Sequence, residues 1–525
     1  MRELRYAAVY PMDQGLDKQS IPGTQAPAAL KQSVNNIITP TGSLKKAPGV
    51  ERLDYVGKDD GIQAAIHFFA RTGSGQGSEI VRVRKGRVEV IRSSGNVEDL
   101  GLSVSPTDAV VFSRFGNKLI IHFENTAPKT YTLGATSLSD LGIFSSHQNS
   151  PPTFSRVHDF RLWYGGRGAA PHRLIVSAIN DIEDYTLASG GFAMRVNDGD
   201  GDPVGVTGIS PAFRGDIYVT KWNSIHRITL GNYGYQRVTV SEEVGCVHHN
   251  TMVATQNDIF FVSVDGIHSL VTTDSYGAVM ENTITYPIYE YFQEIVNWSK
   301  YQSMVATYDK PSNSYLLSFA SSGSTVHDKV LGFNTQSKKF FEWDSVCYPV
   351  LTKYYDYGRQ KTLVGDDVNG MGVLDAQYNT RFGKAYSFQA RTGVIFPMNV
   401  PKSEINFIKM FVCARPTAFS NPFKTRYWIN GNLVDSIDMD TEQNGVDFEG
   451  TATEDIGELI IGQGIIGDDH RDMIIIEGEM KGKGNSVQFE FTQDPTDSDP
   501  NKPLEIFGVV YEYSYNEDSE KTQEI

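Results

Sequence analysis

The chain has 525 residues, of which 40 % are hydrophobic and 11 % aromatic, and it carries 49 Gly and a net charge of −16. That length exceeds one ordinary core and implies about two to four domains, and the Gly and aromatic content favours strands and turns over helical bundles. The acidic balance excludes a broad basic nucleic-acid face. Three scattered cysteines, Cys246, Cys347 and Cys413, form no CxxC pair; they exclude a disulfide framework and are expected as reduced, mostly buried thiols. No stretch approaches the roughly 18 apolar residues of a membrane span, and MRELRYAAVYPMDQG lacks the apolar core of a signal peptide, so synthesis in the cytosol is expected.

Residues 1–60 read as an N-terminal arm. Gly15 and Pro22-Gly23 mark loops. In AALKQSVNNII, Leu30, Val34, Ile37 and Ile38 recur at helical spacing, which predicts a short helix with Pro27 near its start and Pro40 at its end. Gly42 and Pro48-Gly49 then turn the chain, with Lys45 and Lys46 expected at the surface.

Residues 61–380 change to short apolar strands joined by tight turns. AAIHFFA precedes a Gly/Ser loop, GSGQGS, that no helix with a Lys-Ser/Thr pair follows, so it is not a phosphate cradle. Val81, Val83, Val88 and Val90 alternate around Lys85-Gly86. AVVFSRFGNKLIIHF turns at Gly116-Asn117, and RLWYGG and HRLIVSAI follow. DIYVTKWNSIHRITL turns at Asn223-Ser224, and DIFFVSVDGIHSL at Asp265-Gly266, a dipeptide suited to a two-residue hairpin. SYLLSF, KVLGFN, KKFFEW and TLVGDDVNGMGVLD complete the series. A spacing of roughly 40–50 residues is that of propeller blades, and five to seven degenerate units fit. One helix interrupts them in YPIYEYFQEIVNWSKY, where Ile288, Tyr291, Phe292, Ile295 and Val296 share a face after Pro287.

Residues 381–525 read as a β-sandwich-like domain. KAYSFQARTGVIF, INFIKMFVCARP, KTRYWING, GELIIG, DMIIIEGEM, SVQFEFTQ and EIFGVVYEYSY are strand-length and apolar, with Asn430-Gly431 as one turn. The acid-rich stretch 435–456 reads as a loop and NEDSEKTQEI as a frayed end. The fold class is therefore all-β: a degenerate propeller-like body, a C-terminal sandwich and a short helical arm.

Candidate chemistry is sparse. Asp198, Asp200 and Asp202 alternate as in a calcium loop, but Pro203 and Ile209 stand where such a loop needs Gly and Glu, so a solvated turn is the simpler reading. His248 and His249, read as strand neighbours, point apart and have no third ligand near. SVDGIHSL lacks the spacing of the Asp-box turn of sialidases. GxSxG and HExxH are absent, and nothing selects a carboxylate pair of the glycosidase kind. No catalytic, metal or cofactor residue is assigned, and the chain reads as a non-enzyme.

The arm carries a resemblance. Gly15-Leu16-Asp17-Lys18-Gln19, Pro22-Gly23-Thr24-Gln25, Asn35-Asn36, Pro40, Gly42 and Leu44-Lys45-Lys46-Ala47-Pro48-Gly49 resemble, in that order, the opening of the tail tubular protein B (nozzle) family of short-tailed bacteriophages. Thr24 before Gln25, and Ala47 between the basic pair and Pro48, depart from its pattern. Arg161–Tyr185 and DIFFVSVDGIHSL with its Pro287 helix are similar to further stretches of such proteins. The three together span about a fifth of the chain. The resemblance implies a structural virion protein of the phage tail. It implies a hexameric ring joined to an adaptor ring and to tail fibres or spikes, through which double-stranded DNA passes without sequence-specific binding. An acidic lumen suits sliding DNA. The rival reading is a carbohydrate-binding or carbohydrate-active propeller that stacks sugars on Trp163, Trp222 or Trp428.

Overall fold

The computed structural model describes residues 3–515 apart from 22–24, 56–59, 73–74, 142–150, 167, 197–201, 203, 233, 256, 272–283, 357, 398–403, 418–419, 443–472 and 496–502. Pro22-Gly23-Thr24, Asp198, Asp200, GELIIG and the C-terminal tail therefore lie outside the described residues. The chain packs as two units. One comprises residues 1–51, 333–344 and 375–525, and the other residues 52–332 and 345–374. The division differs from the three expected segments: residues 1–51 are no separate arm, because they share a unit with the C-terminal segment.

The larger unit is a β-propeller. Seven groups of consecutive antiparallel strands follow one another, opening with the strands Ile62–Thr72, Val110–Phe115, Phe154–His158, Gly208–Ile209, Val253–Ala254, Val305–Asp309 and Val350–Asp356. These seven strands are the inner edges of blades 1 to 7. Val350–Asp356 packs beside Ile62–Thr72, which closes the ring.

The apolar runs of the sequence follow from this arrangement. A blade is covered on both faces by its neighbours, so successive side chains enter different cores. Leu119 and Ile121 of blade 2 pack with Val81, Val83 and Val90 of blade 1. Ile120, between them, packs with Leu162 and Tyr164 of blade 3. Trp163 then turns the other way, to Ile217 and Val219 of blade 4. Phe261 packs with Tyr218 and Ile225 of blade 4, while Phe260 meets Tyr315 of blade 6 at 5.9 Å.

Two of the propeller turns hold and two shift by one residue: Lys221 N–H donates to Ser224 O at 2.9 Å, so Trp222-Asn223 form the turn where Asn223-Ser224 was expected. Lys85 (φ 46°) and Gly86 (φ 76°) form a two-residue hairpin turn, with Arg84 paired to Arg87. Gly116-Asn117 joins Phe115 to Lys118 in the same way. In the DIFFVSVDGIHSL hairpin, however, Ser263 pairs with Gly266. The turn residues are therefore Val264-Asp265, one position earlier than expected, and Gly266 opens the second strand at φ 144°. Asp265 instead bonds His268 Nε2 at 2.8 Å. The interrupting helix forms as Tyr289–Ile295 after a short 3-10 turn at Tyr286–Ile288, and buries Ile288, Phe292 and Val296.

The smaller unit is a sandwich. One sheet runs Asn36–Ile38, Leu44–Lys46, Glu505–Tyr515, Ile405–Ala414 and Ile474–Glu479, with Glu3–Val9 also on Glu505–Tyr515. The other contains Leu30–Val34, Phe388–Thr392, Val487–Gln493, Pro422–Ile429 and Asn432–Asp440 in that order. Val9, Leu30, Phe388, Met410, Tyr427 and Tyr511 meet in one core between them. Pro422–Ile429 alternates strictly between partly and fully buried positions, as a strand with one covered face should. Asn430-Gly431, at φ 51° and 80°, turns it into Asn432–Asp440, so residues 435–440 are an edge strand rather than loop.

The expected helix in AALKQSVNNII is not formed. The segment makes two strands, Leu30–Val34 and Asn36–Ile38, one in each sheet. Asn35 between them sits at φ 56°, which no helix accommodates. Its side chain fixes the corner: Oδ1 accepts from Asp344 N–H at 2.9 Å, and Nδ2 donates to Ser387 O at 3.0 Å. Lys46 is buried, contrary to its expected surface position, and only Lys45 stays partly exposed.

Candidate functional site

The propeller axis holds a cavity of about 770 Å³. All seven blades supply its wall, among them Ala64–His67, Val110–Phe112, Arg114, Arg156, Pro211, Val253–Ala254, Val305–Thr307 and Val350–Lys353. Ring geometry brings these residues together, since the inner strand of every blade lies along the axis.

Three half-buried cations stand in this wall, Arg114 of blade 2, Arg156 of blade 3 and Lys353 of blade 7, and the exposed Lys300 also borders it. Arg114 stacks on Phe69, 3.8 Å from the ring centroid, and Nη2 donates to His67 O at 3.0 Å. Arg156 donates from Nε to Ile209 O at 3.3 Å, and its Nη2 lies 3.1 Å from His249 Nε2. Burial lowers Arg156 to about 10. Burial, and then the Arg156 charge, lower Lys353. Burial also lowers Arg114. Among the described residues, none of the three is paired with a carboxylate. Asp108, Glu124 and Asp367 share the wall, and Asp108 Oδ1 is held by Asn125 Nδ2 at 2.8 Å.

The cavity histidines are neutral at pH 7. His67 falls to about 4, first through burial and then through Arg114. His327 also falls to about 4, by burial. His249 drops well below its usual value through burial, Arg156 and the other histidines. His249 opens a 3-10 turn, His249–Thr251, capped by His248. The pair is thus not in a strand as expected. His249 stacks on Phe154, with centroids 4.8 Å apart.

The other sequence candidates disperse. Of the acidic run, Asp202 is described: Oδ1 accepts from Val204 N–H and Oδ2 from Trp222 and Asn223 N–H, so it organises a turn. Among the described residues no cluster of His, Cys, Asp or Glu could hold a metal. Trp163 is fully buried. Trp222 meets Tyr301 edge-on at 5.0 Å, and Trp428 lies 3.9 Å beneath Arg391. The cysteines are free, with Cys246 and Cys413 buried, and burial raises all three to about 11, which leaves them as inert thiols. No described helix is long and apolar enough to cross a membrane.

Sequence reasoning missed Arg114, Arg156, Lys353 and His249 as a group. Each sits in an ordinary strand or turn motif, and only closure of the ring makes them neighbours.

No protein-family model and no curated protein matches the chain. Among solved structures it is similar to the WD40 β-propeller domain of Doa1, at 11 % identity and TM-score 0.35, over 61 % of this chain and 95 % of that one. It is also similar to YCF48 from Cyanidioschyzon merolae, at 9 % identity and TM-score 0.37, over 62 % and 98 %. A third similarity is to an exo-β-1,3-galactanase from Phanerochaete chrysosporium, at 10 % identity and TM-score 0.24, over 91 % and 100 %. The chain is an all-β protein with a β-propeller. At these identities and scores no activity or partner passes from those proteins to this one.

Proposed function

We propose that the chain is a structural virion protein, a subunit of the ring-shaped tail nozzle of a short-tailed phage. In this reading six copies form a ring that joins an adaptor ring, carries fibres or spikes and lets DNA through without reading its sequence. What supports it is the N-terminal segment that carries the resemblance, whose motif residues hold demanding positions in the sandwich unit. Gly15 (φ +68°) has Lys339 Cβ 2.7 Å from where a Cβ would stand, and Gly42 (φ +84°) has Pro11 Cβ at 2.8 Å. Asn36 Nδ2 donates to Gln389 O at 3.0 Å. Such residues are fixed by fold, as a motif shared within a structural family would require. The test is electron microscopy of the purified protein with and without its adaptor. A six-fold ring is the expected result, and a monomer that never joins a ring or tail overturns the reading.

A second reading, a carbohydrate-binding or carbohydrate-active propeller, is favoured by the cavity of about 770 Å³ on the propeller axis, a size that fits a small ligand. A glycan array together with a polysaccharide-degradation assay separates the two: specific glycan capture or cleavage with no ring replaces the nozzle reading.

A further inference from the structure

The axial cavity holds an inconsistency that its own side chains do not resolve. His249 receives two N–H groups: Ile209 N–H points at Nδ1 across 3.2 Å, and Arg156 Nη2 points at Nε2 across 3.1 Å. A neutral imidazole has one lone pair and one N–H. If Nδ1 accepts from Ile209, then Nε2 carries the hydrogen and faces a guanidinium N–H. If Nε2 accepts from Arg156, then Nδ1–H faces Ile209 N–H. Either way one donor lacks an acceptor, and protonating His249 removes the remaining lone pair. A donor left unsatisfied in such a place costs about 1–3 kcal/mol.

Arg156 adds a second observation. It has five N–H donors. Nε reaches Ile209 O and Nη2 stands against His249, so Nη1 is left without a protein acceptor among the described residues. Lys353 lines the same cavity and is close enough for the Arg156 charge to act on it. Arg114 is already oriented by the Phe69 ring. Two cations that repel each other across a cavity, with no carboxylate paired to either among the described residues, are an arrangement that an anion stabilises.

We propose that the axial cavity of the propeller binds a small molecule through a tetrahedral oxyanion, a phosphate or sulfate group, held by Arg156 and His249 Nε2–H and neutralised further by Lys353 and Arg114. With the anion present, His249 keeps Nδ1 for Ile209 and donates from Nε2 to the anion, as Arg156 does, so each donor has an acceptor. The cavity is larger than one phosphate, so the oxyanion is the anchor of a larger molecule. Asp108, Glu124 and Asp367 in the same wall oppose a highly charged ligand and favour one with a single anionic group beside neutral hydroxyls.

The test uses the full chain and titration calorimetry with inorganic phosphate, inorganic sulfate, glucose 6-phosphate and glucose, each against sodium chloride of equal ionic strength. Phosphate and sulfate are expected to bind, glucose 6-phosphate more tightly, and glucose and chloride not at all. Equal binding of phosphate and glucose 6-phosphate overturns the larger-ligand part, and binding of glucose alone overturns the oxyanion. Arg156→Gln is expected to weaken phosphate at least about tenfold, and Lys353→Met several-fold, as the loss of charged donors predicts. Lys384→Gln, an exposed position in the other unit, should bind as wild type. If Arg156→Gln does not fold, Arg156→Lys keeps the charge without the fork and should still weaken binding. The proposal is overturned if no oxyanion binds the wild type better than chloride does, or if folded Arg156 and Lys353 variants bind like wild type. Ring assembly is independent of this result, so failure here leaves the nozzle reading standing, and a monomer that binds phosphate does the reverse.

Discussion

Lys46 Nζ stands 4.7 Å from the centroid of the Tyr386 ring, inside the sandwich unit. Arg381 lies 4.0 Å from the same centroid. Lys46 Nζ donates to Gln493 Oε1 at 3.2 Å, and burial followed by the Arg381 charge lowers it to about 7. The unfolded lysine titrates near 10.4. Between about pH 7 and 10.5 the unfolded chain therefore holds a proton that the folded chain has released, and stability from this site rises with pH across that window. Below pH 7 both states are protonated and the full cost of the buried charge remains. Lys46→Met is expected to gain on wild type at pH 6 and to lose that advantage by pH 10, a relative change of a few kcal/mol. Urea unfolding of both proteins across pH 6–10 measures it; parallel profiles would show that Lys46 is not buried as a strained cation.

Gly266 opens its strand at φ 144°, a region closed to residues with a Cβ. Gly266→Val is expected to cost about 1–3 kcal/mol, with a lower melting temperature. Asp265, beside it, bonds His268, and although burial opposes ionisation, the His268 bond keeps its carboxyl below the usual range. Asp265→Ala is expected to cost less than Gly266→Val. An unchanged melting temperature for Gly266→Val would refute the strand-opening geometry.

Leu119 and Ile120 are chain neighbours in different cores, one facing blade 1 and the other blade 3. Each substitution to Ala is expected to cost about 2–5 kcal/mol through lost burial and a residual cavity. Because their side chains share no partners, the double substitution should be additive to within about 0.5 kcal/mol. Strong coupling, read from guanidinium unfolding of the three variants, would mean that one side chain crosses into the other's core.

The hairpins were legible because their signal is local. Lys85-Gly86 and Asn430-Gly431 name their own turn geometry, and apolar runs such as IFFVS record coverage on two faces. AALKQSVNNII was misread because Leu30, Val34, Ile37 and Ile38 satisfy helical spacing just as well, while the partners that make it a pair of strands are remote in sequence. Gln389 and Ala390 pair with Val34 and Ser33. The cavity was illegible for a related reason. Arg114, Arg156, His249 and Lys353 come from four separate parts of the propeller, and no short window of sequence contains two of them. The shift of the Asp265-Gly266 turn by one residue lies below what a dipeptide signal resolves, since Gly serves either position.

Asp202 carries the last prediction. Its two oxygens accept from the backbone N–H groups of Val204, Trp222 and Asn223 at 2.9, 2.9 and 3.3 Å. A buried carboxylate engaged in this way ties the segment before blade 4 to the turn between its second and third strands. Asp202→Ala removes an acceptor from all three donors, and about 1–3 kcal/mol of stability should go with it. Asp202→Asn keeps one carbonyl oxygen and should recover part of that. If the carboxylate serves the turn, these losses are equal in calcium and in a chelator. A wild-type melting temperature that rises with calcium, and an Asp202→Ala protein that no longer responds, would instead make the residue a cation ligand. Thermal unfolding of the three proteins in both buffers separates the two roles.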